Sequence, residues 1–94
     1  MIEMEQSSGN PFEDMQVPHA DNMKVRAELV IEIRRIMEAE GWNQTEAAGR
    51  FGVSRTRLND ALRGRLEKVS IDRLVMMLAA VGRHVRVQVN SEAT

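Results

Sequence analysis

The stretch Gln44–Arg63, QTEAAGRFGVSRTRLNDALR, decides the fold of this chain. Small or apolar side chains recur through it at helical spacing, at Ala47, Ala48, Phe51, Val53, Leu58 and Ala61. Gly52 lies between the two halves and permits a tight turn there. Ala48 suits a close crossing of two helices, because a larger side chain would push them apart. The pattern predicts a helix over about 44–51, a bend, and a second helix that ends at Arg63.

Polar caps mark the starts of both predicted helices. Asn43 suits the N-cap of the first helix, and Glu46 can return a bond to the backbone N–H of the cap, as in a capping box. Ser54 caps the second helix, and Gly64 follows its end. Trp42 is predicted to lie in the core, packed against the preceding helix as a hydrophobic staple; stacking on a nucleic-acid base is the alternative.

One face of the second helix is predicted to stay free for a partner. Spacings of three and four residues place Arg55, Thr56, Asn59, Asp60 and Arg63 on that face, away from the apolar side chains. Arginine can bond guanine at two points, asparagine can do the same for adenine, and threonine can touch a thymine methyl group or a phosphate. Asp60 can select cytosine or orient an arginine. We therefore predict that Arg55, Thr56, Asn59 and Asp60 read base edges.

Basic residues surround this face. Between residues 50 and 73, seven bases stand against three acids: Arg50, Arg55, Arg57, Arg63, Arg65, Lys68 and Arg73 against Asp60, Glu67 and Asp72. Such an excess suggests a polyanionic partner, although a solvated helix face has the same composition. We assign contacts to DNA phosphates, which set register without reading sequence, to Ser54, Arg57, Arg63, Arg65 and Lys68.

Helical periodicity continues on both sides of this stretch. An N-cap at Asp21 or Asn22 opens a helix that should stop at Gly41, with Val25, Leu29, Ile33 and Ile36 on its apolar stripe. Ser70 caps a further helix that ends at Gly82, with Ile71, Leu74, Leu78 and Val81 on its buried face. Residues 22–82 are thus predicted to form one helical domain.

The two ends of the chain differ from this centre. Residues 1–21 contain both prolines, five acids and no Lys or Arg, and are predicted to form a partly flexible arm. After Gly82 the period changes to two, and Val85, Val87 and Val89 predict a strand within 83–90 with one buried face, followed by a tail over 91–94. A lone strand must pair with the arm or with another chain. We favour a homodimer in which these valines meet a second copy.

Residues 44–63 resemble the XRE, or Cro-type, helix-turn-helix family at the apolar, alanine and glycine positions quoted above. The resemblance implies a mainly α, lambda-repressor-like bundle of about four to five helices. In that family a glutamine at the first position of the first helix contacts the DNA backbone, a role that would fall on Gln44. The start of the second helix enters the major groove, which makes Arg55 and Thr56 the leading base readers.

A second resemblance spans residues 9–90 and includes GNPFEDM, KVRAEL and SIDRLVMMLAAVG followed by the valine strand. The chain is similar here to HigA-type antitoxins and related phage regulators. Such proteins repress their own operon and neutralise a RelE/HigB-like ribosome-dependent RNase. The resemblance implies double-stranded operator DNA, a second copy and such a toxin as partners. The alternatives are a stand-alone phage or bacterial regulator and a protein-interaction adaptor that keeps the fold without binding DNA.

Composition argues against several other classes of protein. The chain has 94 residues, which fit one domain, and no cysteine, and its two histidines, His19 and His84, lie far apart. No metal-ligand cluster, nucleophile–base pair or phosphate-binding glycine loop is evident, so we expect neither an enzyme nor a cofactor. Apolar runs fall far short of the roughly 20 residues that span a bilayer. The acidic start is unlike a signal peptide, and we expect a cytoplasmic, nucleoid-associated protein.

Overall fold

Helices form the centre of the molecule in the computed structural model, which describes the backbone of residues 2–5 and 16–91 and the side chains of residues 20–91. The elements are β1 (Ile2–Glu5), α1 (Gln16–Glu40), α2 (Gln44–Phe51), α3 (Arg55–Leu62), α4 (Ile71–Ala80) and β2 (Val87–Asn90). A short 3-10 turn, Leu66–Lys68, joins α3 to α4. The predicted mainly α bundle with a C-terminal strand is confirmed. No helix in the described part of the chain is long and apolar enough to cross a membrane.

An aliphatic core lies where the four helices meet. Its fully buried side chains include Ile33 of α1, Leu58 of α3 and Leu74 of α4, each with 0% of its surface exposed. The other buried members are Val25, Leu29, Val30, Ile36, Ala47, Ala48, Phe51, Ala61, Val69, Met77 and Leu78. Burying each large aliphatic side chain contributes about 1.5–3 kcal/mol, so contacts of this kind hold the short helices in place. Every core position predicted on α1 is buried, whereas Ile71 of α4 and Val81, which follows α4, are only half-buried.

The first helix begins earlier than the sequence pattern predicts. α1 starts at Gln16 rather than after a cap at Asp21 or Asn22, so the end of the predicted arm is helical. Pro18 is the third residue of α1, where a backbone N–H has no acceptor within the helix. The missing donor of proline therefore costs no hydrogen bond at this position. Residues 6–15 of the predicted arm lie outside the described residues.

The two strands pair with each other within the chain. β1 and β2 run parallel, with Ile2 opposite Val87 and Glu5 opposite Asn90. The sequence left two possible partners for the C-terminal strand, the N-terminal arm and another chain. In the structure this strand pairs with the N-terminal segment. β2 is also shorter than the predicted 83–90, because it begins only at Val87. Val85 packs against the core, but Val87 and Val89 are 57% and 48% exposed, so the valine face is only partly covered.

Two glycines, one in the turn between α2 and α3 and one inside α2, allow the effect of backbone conformation on stability to be tested. Gly52 has a φ of 76°, whereas Gly49 lies inside α2, and an added Cβ would meet no atom within 4 Å at either site. Gly52→Ala should lower the free energy of unfolding by about 1–2 kcal/mol, because the left-handed conformation is strained for alanine. Gly49→Ala should raise it by about 0.5–1 kcal/mol, because alanine favours the helix. Urea unfolding of both variants measures the difference; effects of the same sign would refute this account of the turn.

Candidate nucleic-acid interface

Side-chain caps and one tight turn set the relative position of α2 and α3. Oδ1 of Asn43 accepts a hydrogen bond from the N–H of Glu46 at 2.8 Å, and Oγ of Ser54 accepts one from the N–H of Arg57 at 3.1 Å. Gly52 ends α2, and the N–H of Val53 donates to the carbonyl of Ala48 at 3.0 Å. Both predicted N-caps and the predicted bend are confirmed. The hydroxyl proton of Ser54 remains a donor while its oxygen caps α3.

The predicted capping box forms only in part. The carboxylate of Glu46 accepts from Nη2 of Arg50 at 3.1 Å, one turn further along α2, instead of returning to the cap. This happens because the i,i+4 spacing brings the two opposite charges together on the exposed side of the helix. The guanidinium of Arg50 also lies 5.2 Å from the ring centroid of Trp42.

Trp42 lies against the core, as predicted. Its ring is half-buried and meets Phe51 edge to face, with centroids 5.9 Å apart. The aromatic contact is therefore with the end of α2, while the backbone N–H of Trp42 donates to the carbonyl of Met37 near the end of α1. Arg50 lies over the ring, so its guanidinium occupies a position that a stacked base would otherwise take.

The predicted reading face of α3 points away from the core. Leu58 and Ala61 have 0% exposure, whereas Arg55 and Thr56 are exposed at the start of the helix. Asn59 and Asp60 are partly exposed on the next turn. The remaining predicted contacts lie around this face: Ser54, Arg63, Arg65 and Lys68 are exposed, and Arg57 and Gln44 are partly exposed. The structure thus separates an apolar side of α3 from a polar side, as the spacing predicts.

Asp60 and Arg65 form an ion pair at the far end of this face. Oδ1 of Asp60 accepts from Nη1 of Arg65 at 3.1 Å, and the two side chains are 17% and 48% exposed. The backbone N–H of Arg65 also donates to the carbonyl of Asp60 at 2.9 Å. The sequence suggested that Asp60 either selects cytosine or orients an arginine. The structure shows Asp60 orienting Arg65. Base reading by Asp60 stays a prediction, and its side chain is only 17% exposed.

Two arginines of α1 contact the end of α3 and the turn that follows it, which sequence reasoning missed. Nη1 of Arg26 donates to the carbonyl of Leu66 at 2.7 Å, and Nη2 of Arg34 donates to the carbonyl of Leu62. Both arginines lie on the side of α1 that faces α3 and the turn after it. The eight-residue spacing in the sequence is compatible with one helix face, but no pattern identifies backbone carbonyls as the acceptors.

The best-formed cavity among the described residues lies away from the predicted reading face. This cavity, about 470 Å³, is lined by α1, α4 and residues 83–86, and no α3 residue contributes to it. Within residues 20–91, no group of three or more histidine or carboxylate side chains is placed to hold a metal ion. The described face of α3 is an open polar surface with predominantly basic surroundings, which suits an extended anionic partner.

Comparison with protein families matches residues 11–90 to a helix-turn-helix domain. The chain belongs to this helix-turn-helix family. The match includes α2, the turn and α3, and it extends over α1, α4 and β2. Searches among curated proteins and solved structures give no match. Helix-turn-helix domains bind DNA, so the family indicates a DNA-binding regulator.

Two serine caps with equal geometry allow the interface to be tested. Ser54 caps α3 and Ser70 caps α4, each accepting from a backbone N–H at 3.1 Å. Ser54→Ala and Ser70→Ala should each lower the free energy of unfolding by about 1 kcal/mol. Only Ser54→Ala should weaken duplex binding several-fold, because it loosens the turn that carries Arg55 and removes a phosphate donor. Thermal unfolding and fluorescence anisotropy measure the two effects; equal loss of binding in both variants would contradict the assignment of α3.

Proposed function

We propose that this chain is a sequence-specific, DNA-binding transcription regulator that inserts α3 into the major groove. The observation that carries the proposal is the division of α3 into a fully buried apolar side and an exposed polar side inside a helix-turn-helix domain. The start of the helix then faces the base edges, as in other domains of this class.

Base reading falls to the side chains along the polar side of α3. Arg55 is exposed at the first position of the helix and has no ion-pair partner among residues 20–91, so its guanidinium can meet a guanine. Asn59 lies one turn further along and suits adenine, while Thr56 suits a thymine methyl group. Asp60 would read cytosine only if it released Arg65. The proposed readers are therefore Arg55, Thr56 and Asn59, with Asp60 as a conditional fourth.

Phosphate contacts fall to the residues that surround this face. The proposed set comprises Gln44, Ser54, Arg57, Arg63, Arg65 and Lys68. Gln44 is the first residue of α2, and Ser54 and Arg57 lie in the first turn of α3. Arg63, Arg65 and Lys68 follow α3, so phosphates would be held on both sides of the recognition helix. Such contacts fix register and give most of the non-specific affinity.

We further propose that the protein binds as a homodimer through β2. A two-stranded sheet is marginal in water, and Val87 and Val89 keep about half of their surface exposed. β1 occupies one edge of β2, and a second copy pairing with the other edge would extend the sheet and cover the valines. Two recognition helices would then read half-sites about 34 Å apart, so the operator should be an inverted repeat.

The most specific function that we propose for this chain is that of an antitoxin that represses its own operon. Its support is the resemblance over residues 9–90 and the five acids, without any base, among residues 1–21. An acidic segment suits a basic RelE/HigB-like toxin better than it suits DNA. The product of the adjacent reading frame distinguishes the possibilities. Co-purification with a small basic protein supports the antitoxin, operator binding alone indicates a stand-alone regulator, and failure to bind any duplex indicates an interaction adaptor.

The division into base readers and phosphate anchors is testable on two arginines. Arg55→Ala should cost about 1–3 kcal/mol of binding on the selected operator and relax preference at one base pair. Arg65→Ala should weaken all duplexes alike and reduce the slope of log K against log salt by about one. Operator selection from a random pool, followed by salt titration on operator and random duplexes, measures both. The division is wrong if the two variants lose operator and random DNA in equal proportion.

The dimer proposal predicts a difference between the two faces of β2. Val87→Lys combined with Val89→Lys should give a monomer in light scattering and weaken operator binding at least tenfold, because one recognition helix reads only half of the palindrome. Gln88→Lys, which places the same charge on the opposite face of the strand, is the control and should stay dimeric. A monomeric wild-type chain, or an unchanged double variant, would remove β2 from the mechanism.

A further inference from the structure

The turn after the recognition helix is held at both ends by α1. The carbonyl of Leu62, where α3 ends, accepts from Arg34, and the carbonyl of Leu66 accepts from Arg26 at 2.7 Å. Between these two acceptors lie residues 63–65. These are long-range contacts, because the partners are 28 and 40 residues apart in the chain.

Those three residues carry two of the proposed phosphate contacts. Arg63 and Arg65 lie on either side of Gly64, which has a φ of 80° in this turn. The N–H of Gly64 donates to the carbonyl of Ala61 at 3.0 Å, and Asp60 holds the guanidinium of Arg65 at 3.1 Å. The turn is thus fixed to α3 by local bonds and to α1 by the two arginines.

A positive charge on α1 is not sufficient to make a contact with the turn after α3. Arg35, next to Arg34, carries the same charge, but it pairs with Glu32 of its own helix at 3.4 Å and its side chain is 72% exposed. Arg34 instead places a guanidinium at the C-terminal end of α3, where the helix dipole is negative. Its hydrogen bond therefore stabilises one position of the last turn of α3 relative to α1.

We propose that Arg26 and Arg34 are positioning residues for DNA binding, which hold the 63–65 turn so that Arg63 and Arg65 meet the phosphate backbone while α3 lies in the groove. This inference rests on the proposed function. Arg34 is the better site for a test, because Nε of Arg26 is buried without a hydrogen-bond partner among the described residues. Removing Arg26 would relieve that desolvation as well as break a bond.

The test compares Arg34→Met with Arg35→Met, which makes the same change of charge at the adjacent position. Binding is followed by fluorescence anisotropy on a duplex of random sequence, about three helical turns long, at several salt concentrations. Arg34→Met should weaken binding about tenfold and reduce the slope of log K against log salt by about one or two, because Arg63 and Arg65 lose their alignment. Arg35→Met should leave the slope at its wild-type value. Arg34→Lys keeps a hydrogen-bond donor and the charge, so it should recover part of the lost affinity. If Arg34→Met does not fold, Arg34→Lys is compared with Arg35→Met instead.

A double-mutant cycle separates positioning from direct contact. In a chain that already carries Arg63→Ala and Arg65→Ala, Arg34→Met should cause no further loss, because the groups that it positions are gone. The same loss in that background would mean that Arg34 itself contacts phosphate, and would overturn the proposal. A lower thermal midpoint with unchanged slope and affinity would also overturn it, leaving a purely structural role. If the wild-type chain binds no duplex, both the proposed function and the positioning role are wrong. If the wild-type chain binds DNA and Arg34→Met binds it with the same affinity and salt slope, only the positioning role is wrong.

Discussion

The burial of one side of α3 is the constraint on which the rest of the structure depends. Leu58 and Ala61 have no exposed surface, and together they fix the rotation of the helix about its own axis. An α-helix turns once every 3.6 residues, so inward positions at 58 and 61 place Arg55, Thr56 and Asn59 on the outer side. The exposed polar side of α3 is therefore a consequence of core packing, and a substitution at Leu58 would change how these polar side chains are presented without altering any of them.

So short a helix also needs constraints at its ends. α3 has eight residues, and isolated helices shorter than about 12 residues are marginal in water. Ser54 satisfies a backbone donor at the first turn, and Arg34 satisfies a carbonyl at the last. The two contacts come from different parts of the chain, one local and one from α1. Packing sets the rotation of α3, and these end contacts limit its sliding and tilting.

Local signals made the centre of the molecule predictable, and tertiary geometry accounts for what was missed. Asn43, Ser54 and Gly52 act on their own backbone neighbours, so their types and positions were sufficient to place α2, the turn and α3. The start of α1 was missed because Pro18 was taken as part of an arm, although the first helical turn tolerates proline. The strand partner and the contacts of Arg26 and Arg34 depend on which elements meet in space, and the alternation of valines or charges does not contain that information.

The pairing of β1 with β2 joins the two ends of the described chain. Ile2 lies opposite Val87, so forming the sheet closes a loop that contains the whole helical bundle. Closing a longer loop costs more chain entropy, whereas the contacts between neighbouring helices are local and form quickly. The sheet is therefore the part of the fold whose formation depends most on contacts between distant residues. Because β1 occupies one edge of β2, an N-terminal segment that left the sheet would free that edge for pairing with another strand.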